Sequence, residues 1–168
     1  MADSYSQLYV HVTFGVKYRR PLLSKEWRAQ LFDYIAGIAT NKQQTILEVN
    51  GVEDHIHFLL WMRPTVLLSD VIRDIKANSS RYINEQGWVK NRFEWQAGFG
   101  AFTVGHTGVE IVRSYIRNQE VHHRKRTFKE EYLDFLNDHE IGYKPQYVFD
   151  EPDAPKEWLG NDGSTRQS

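Results

Sequence analysis

The chain opens on a clean alternation of apolar and polar side chains. Leu8, Val10, Val12 and Phe14 alternate with Tyr9, His11 and Thr13, which predicts a strand over residues 5–14. A basic loop, Lys17-Tyr18-Arg19-Arg20-Pro21, follows. The period then changes to that of a helix. Trp27, Leu31, Tyr34, Ile35 and Ile38 form an apolar stripe over about 25–40, with Ser24 placed to cap it. Residues 44–50 read as a second strand, and Asn50-Gly51 as the turn that ends it. The third strand carries His55-Ile56-His57-Phe58 and ends near Met62, before Pro64.

A second helix over about 67–86 rests on Leu68, Val71, Ile72, Ile75 and Ile83, and Gly87 stops it. Residues 93–104 read as an aromatic fourth strand in which Gly98 and Gly100 mark a bulge or a close backbone approach. Gly105-His106-Thr107-Gly108 is a joint. Helices over about 108–123 and 127–138 follow, then an extended, docked segment from Tyr143 to Phe149. The order β-α-β-β-α-β, then helices, implies an α+β fold. It is the ferredoxin-like split β-α-β arrangement: an antiparallel four-stranded sheet with two helices on one face and added C-terminal helices. Residues 1–149 form one domain on this reading, with the tyrosine-bearing helix at about 108–123. Residues 150–168, rich in acids, Pro, Gly and Ser, form an acidic tail.

Composition narrows the possibilities. The 168 residues suit one globular domain, and no apolar run approaches the ~20 residues of a membrane span. With no signal-peptide pattern the expected location is cytoplasmic. The absence of cysteine excludes disulfides and thiolate metal sites. A net charge of −1 conceals an asymmetry. Residues 130–168 hold ten acidic and three basic side chains, a net of −7, so the remainder carries +6. Arg113, Arg117, Arg124, Lys125, Arg126 and Lys129 face only Glu120 in their stretch. Such a block can meet phosphates or simply be a solvated helix face balanced by the tail.

The candidate chemistry lies on the third strand. Residues two apart on a strand share a face, so His55 and His57 are neighbours, while Ile56 and Phe58 point to the helix-covered core. A His-x-His pair alone is more often a hydrogen-bonded pair than a ligand set, and a tyrosine at helical spacing is usually core. Tyr115 and Gln119, however, share a helix face at i, i+4. Two imidazole nitrogens and an amide oxygen form an incomplete shell that suits Mg²⁺ or Mn²⁺ with phosphate oxygens in the open positions. A tyrosine, whose ordinary pKa is near 10, becomes a competent nucleophile towards a phosphate that a cation neutralises and aligns.

These residues resemble those of the small HUH-type single-tyrosine transposases of the simplest bacterial insertion sequences, the TnpA-like family. The resemblance spans roughly residues 5–149. It includes His11, Lys17-Tyr18-Arg19-Arg20-Pro21, Asp54-His55-Ile56-His57 and Lys76-Ala77-Asn78-Ser79-Ser80. It extends through Trp95 to Phe102 and ends on Tyr115-Ile116-Arg117-Asn118-Gln119. It implies a metal-dependent transposase that cleaves and rejoins single-stranded DNA through a 5′-phosphotyrosine, at element ends marked by hairpins. It also implies His55, His57 and Gln119 as metal ligands, Tyr115 as nucleophile, and Gly105 and Gly108 as the joint before the tyrosine helix. The expected assembly is a homodimer with residues 93–104 at its interface, in which the tyrosine helix can serve the partner's histidines in trans. Lys17, Arg19 and Arg20 in their loop, and Lys76 and Arg81 on the second helix, are expected to contact phosphates. Near-neutral charge and the extension after Asp150 depart from the family's pattern. A catalytically silent hairpin-binding protein of the same fold is the alternative. An RNA-binding module is disfavoured, because histidines rather than stacking aromatics occupy the face it would use.

Overall fold

The alternation in the first strand has a physical outcome on both sides of the sheet. Val12 and Phe14 are buried on one face, and His11 and Thr13 are buried on the other, so both faces are covered. The computed structural model describes residues 2–150. Among them four strands, β1 (Leu8–Gly15), β2 (Thr45–Gly51), β3 (His55–Met62) and β4 (Gly100–Val104), form one sheet in the order β2-β3-β1-β4. Every pairing is antiparallel. This is the split β-α-β topology, with β3 inserted between β1 and β2.

Helices α1 (Arg28–Asn41) and α2 (Leu68–Gln86) cover one face. Their apolar stripes, including Leu31, Ile35, Ile72 and Ile75, close a core with Val12, Phe14, Ile56, Phe58 and Leu60. Helix α2 stops at Gly87, whose φ of 67° is the left-handed conformation that glycine adopts without a Cβ clash. On the other face Phe102, Phe128, Tyr132, Leu136 and Phe149 form a second, smaller core. Helices α3 (Val109–Arg117) and α4 (Gln119–His122) pack near β2, while this core is built by α5 (Phe128–Asp138) and the segment of α6 (Pro145–Val148) against β4. No helix among the described residues is long and apolar enough to cross a membrane.

Five sequence expectations need correction. Asn50 and Gly51 do not form the turn: both stay in β2, paired with His57 and Ile56, and the chain turns over 52–54, where the Val52 N–H bonds the His55 carbonyl. The fourth strand does not begin at 93: residues 93–99 are irregular, touching the sheet through a bridge between Val16 and Trp95. Helix α2 takes this segment's bonds. Asn84 bonds both the N–H and the carbonyl of Phe93 at 2.7 and 3.1 Å. The Trp95 indole donates to Ser79 at 2.9 Å. Gly100 does mark a close approach, since a Cβ there would lie 3.1–3.2 Å from the Phe102 and Tyr132 rings.

The helix expected over about 108–123 is broken at Asn118. The cause is distant in sequence. The Asn50 side-chain amide donates to the carbonyls of Ile116 and Arg117, at 3.0 and 2.9 Å, and so withdraws two acceptors from the helical ladder. Ser24 does not cap α1 directly. Its hydroxyl accepts from the Glu26 N–H in a turn before the helix, whose first flanking residue is Trp27. Residues Tyr143–Phe149 dock through Phe149, but as the short helix α6 rather than extended chain. The acidic tail expected over 150–168 lies, beyond Asp150, outside the described residues.

Candidate metal centre and nucleophile

Strand geometry brings the two histidines of β3 to one side. Both are fully buried beneath α4 and α5. The Nε2 atoms of His55 and His57 lie 3.4 and 2.7 Å from the same atom, Oε1 of Glu131 on α5. His123, just past α4, places its Nε2 3.1 Å from the other carboxylate oxygen. One donor atom from each of His55, His57, His123 and Glu131 lies within 4.8 Å of the others. Gln119 is buried beside them, its Oε1 3.4 Å from His55 Nε2 and 3.0 Å from His123 Nε2. Its Nε2 donates to the Tyr115 carbonyl one turn back at 3.2 Å, which aims the amide oxygen inward.

Each imidazole is engaged outside the centre through Nδ1. Asp54 accepts from His55 at 2.6 Å, and the Arg126 carbonyl accepts from His123 at 2.8 Å. His57 Nδ1 lies 2.9 Å from His11 Nε2. All three rings therefore turn Nε2 inward, the arrangement that outer partners impose on metal-binding histidines. Nitrogen and oxygen donors converging around a buried carboxylate fit a divalent cation.

The electrostatics follow from burial and pairing. Burial alone would raise the Glu131 pKa, but hydrogen bonds from His123, His55 and His57 hold it well below the usual carboxylate range. Burial pushes His57 down to about 4 and His11 down to about 3, so both rings are neutral. Burial also opposes charge on His55, yet Asp54 and Glu131 outweigh it and raise its pKa. The Tyr115 hydroxyl donates to Glu131. Burial and that carboxylate lift the phenol above its ordinary value, so the uncomplexed tyrosine is held as a phenol.

The sequence-predicted set of Tyr115, His55, His57 and Gln119 is thus assembled in one place, within one chain. Sequence reasoning did not assign site roles to His123, Glu131, Asp54 or His11. His123 extends the i, i+4 series of Tyr115 and Gln119 by one turn. Glu131 is an acid on the stripe of Phe128, Tyr132 and Leu136, the buried face of α5, and a charge on an apolar stripe is a readable signal.

The basic residues are dispersed. Lys17 pairs with Glu94 at 3.2 Å, the Arg19 guanidinium lies over the Phe149 ring at 4.5 Å, and Arg20 lies over Tyr18 at 5.1 Å. Lys76 donates to the carbonyls of Gln96, Ala97 and Gly98, at 2.8, 3.4 and 2.6 Å. Arg81 bonds Asn78 and sits near Glu85. Lys76 and Arg81 line a cleft of about 1150 Å³ between α2 and residues 89–99, on the side of the sheet away from the histidines. Arg73, Lys90 and Arg92 line it too, against Glu85 and Glu94.

Comparisons with known proteins bear on the family and the fold. Residues 4–119 match the family described as "Transposase IS200 like". The chain is 33% identical over 114 residues to the transposase of insertion sequence element IS200 from Salmonella typhimurium, covering 65% of this chain and 74% of that protein. It is 27% identical over 120 residues to the ISDra2 transposase TnpA of Deinococcus radiodurans, covering 67% and 84%. Among solved structures, that of a REP-associated tyrosine transposase bound to a REP hairpin superposes with a TM-score of 0.55. The sequence identity is 17%, over 92% of this chain and 93% of that one, a likeness of fold. Glu131 and His123 lie beyond the residues that the family match covers.

Proposed function

The chain belongs to the IS200-like transposase family, and from that premise we propose that it cleaves and rejoins single-stranded DNA through a covalent bond to Tyr115. One observation carries the reading: the Tyr115 hydroxyl and the His55–His57 pair converge on a single buried carboxylate, Glu131, within one chain. His55, His57, His123 and Glu131, with Gln119 beside them, would hold Mg²⁺ or Mn²⁺. The bound cation would neutralise and align the scissile phosphate. As the Tyr115 oxygen bonds to phosphorus, the phenolic proton leaves its hydrogen bond with Glu131 for solvent, because that carboxylate is too weak a base to keep it. The DNA 3′-oxygen then departs and takes a proton from solvent, leaving a 5′-phosphotyrosine and a 3′-hydroxyl. The retained phosphoester allows rejoining, which separates this chemistry from hydrolysis. The catalytically silent alternative has no use for so complete a set.

We place the DNA surface in the cleft of α2. Its exposed ion pairs, such as Arg81–Glu85 and Arg92–Glu94, are worth little in water, so a phosphate can displace the carboxylate. Lys76 has its three ammonium protons taken up by backbone carbonyls and serves the cleft wall. Lys17, Arg19 and Arg20 stand outside the cleft lining, and phosphate contact by them is a separate element of the reading. The hairpin in the related solved complex supports a hairpin as the DNA form.

One experiment tests both parts. Single-stranded DNA from the flanks of the gene, folded as a hairpin, is incubated with protein and Mn²⁺ and run on a denaturing gel. A covalent band is expected, and its absence on every flank would remove the reading. In the same samples Arg73→Ala with Arg81→Ala should reduce the salt dependence of binding by about 0.7–0.9 units per lost contact.

The assembly reading is a two-fold dimer through β4, which among the described residues ends the sheet and pairs with β1 alone. With Tyr115 over its own chain's histidines, such a dimer does not need the tyrosine helix in trans. Light scattering that reads a monomer at tens of micromolar would count decisively against it.

A further inference from the structure

We propose that His11 is a positioning residue for His57, holding the ring so that its Nε2 faces the metal centre. The inference deepens the function proposed above and rests on it. His11 is not one of the converging donors. It lies on the neighbouring strand, where β1 pairs Thr13 with His57 and His11 with Leu59. His11 and Thr13 share a face, and the His11 ring reaches along that face to place Nε2 2.9 Å from His57 Nδ1.

The contact has a specific consequence. An imidazole can rotate half a turn about its Cβ–Cγ bond and exchange the positions of its nitrogens and carbons. A buried hydrogen bond at Nδ1 blocks that rotation and leaves Nε2 pointing at Glu131. Asp54 performs the same task for His55, but a carboxylate can only accept. A neutral imidazole donates through one nitrogen and accepts through the other. His11 can therefore hold His57 in whichever tautomer the centre requires, without placing a second buried anion beside Glu131. His11 is itself fixed, edge-on to Phe135 with ring centroids 5.1 Å apart and edge-on to Phe102 at 6.4 Å. Those contacts need only an aromatic ring. The nitrogen that meets His57 is what the packing does not explain.

The test therefore compares His11→Phe, which keeps a ring, with His11→Gln, which keeps a polar group able to donate or accept. Full-length proteins are titrated with Mn²⁺ by calorimetry, and thermal unfolding without metal confirms that each variant is folded. His11→Phe should lower Mn²⁺ affinity by about 10–100-fold, the usual cost of losing an outer partner of a metal ligand. His11→Gln should recover most of that loss. Equal affinity of His11→Phe and the parent overturns the positioning role and leaves the proposed function standing. A parent protein that takes up no Mn²⁺ removes the metal reading, and this inference with it; the silent arm tells the two failures apart. If His11→Phe does not fold, long-range ¹H–¹⁵N spectra of the parent decide. His57 should show one tautomer with Nδ1 hydrogen-bonded, and an averaged pair of nitrogens overturns the proposal.

Discussion

Tyr115→Phe is expected to abolish covalent attachment of DNA while leaving the fold and hairpin binding in place. The substitution removes one oxygen and keeps the ring, which stacks on His122 at 4.6 Å and meets Phe135 edge-on at 5.8 Å. Glu131 loses one donor but keeps His57 and His123. A hydrogen bond to a charged group is worth about 1.5–3 kcal/mol, a loss that a domain with about 5–15 kcal/mol of stability survives. No other tyrosine can substitute. Tyr132 is the nearest in sequence to Glu131, but it packs against Phe128 and Phe149 in the second core, and burial pushes its phenol up to about 12. End-labelled DNA on a denaturing gel reads the outcome, and a band that persists in Tyr115→Phe would move the assignment to another residue.

His57→Ala should have the other large effect, and on two quantities at once. Cleavage should fall by about a thousandfold or more, because a metal that aligns a phosphate supplies several kcal/mol. Stability should fall as well. His57 is fully buried 2.7 Å from Glu131, and losing a neutral imidazole's hydrogen bond to a buried carboxylate costs about 1.5–3 kcal/mol. The two effects separate in the double variant His57→Ala with Glu131→Gln, which removes the buried carboxylate that has lost one of its donors. Its melting temperature should recover relative to the single variant, while cleavage and Mn²⁺ binding stay lost. Chelation of the parent protein should reproduce the loss of cleavage without the loss of folding. Cleavage that survives both chelation and His57→Ala would show that the chemistry does not depend on this centre.

Much of the site is legible in the sequence because its logic is local. Period 2 alone puts His55 and His57 on one face and Ile56 and Phe58 on the other, and this is what the sheet shows. Helical spacing alone puts Tyr115 one turn before Gln119, and the pair stays adjacent across the break at Asn118, with the Gln119 amide bonded to the Tyr115 carbonyl. The succession of periods likewise supports the split β-α-β order, because strands and helices announce themselves through which positions must be apolar.

The rest depends on groups far apart in the chain. Residues 93–99 carry strand-like aromatics, yet Phe93 and Trp95 sink into the core beside α2, and Asn84 and Lys76 take the backbone bonds that a strand would have given to the sheet. The tyrosine helix breaks because Asn50, on β2, competes for its carbonyls. Glu131 reaches the histidines because α5 docks its buried stripe over the second face of the sheet. Propensity and periodicity say which side of an element is apolar. They do not say which apolar surface it will meet, nor which distant side chain will outbid the backbone's own partners. Those choices are made only when burial is closed and every buried donor and acceptor has found its match.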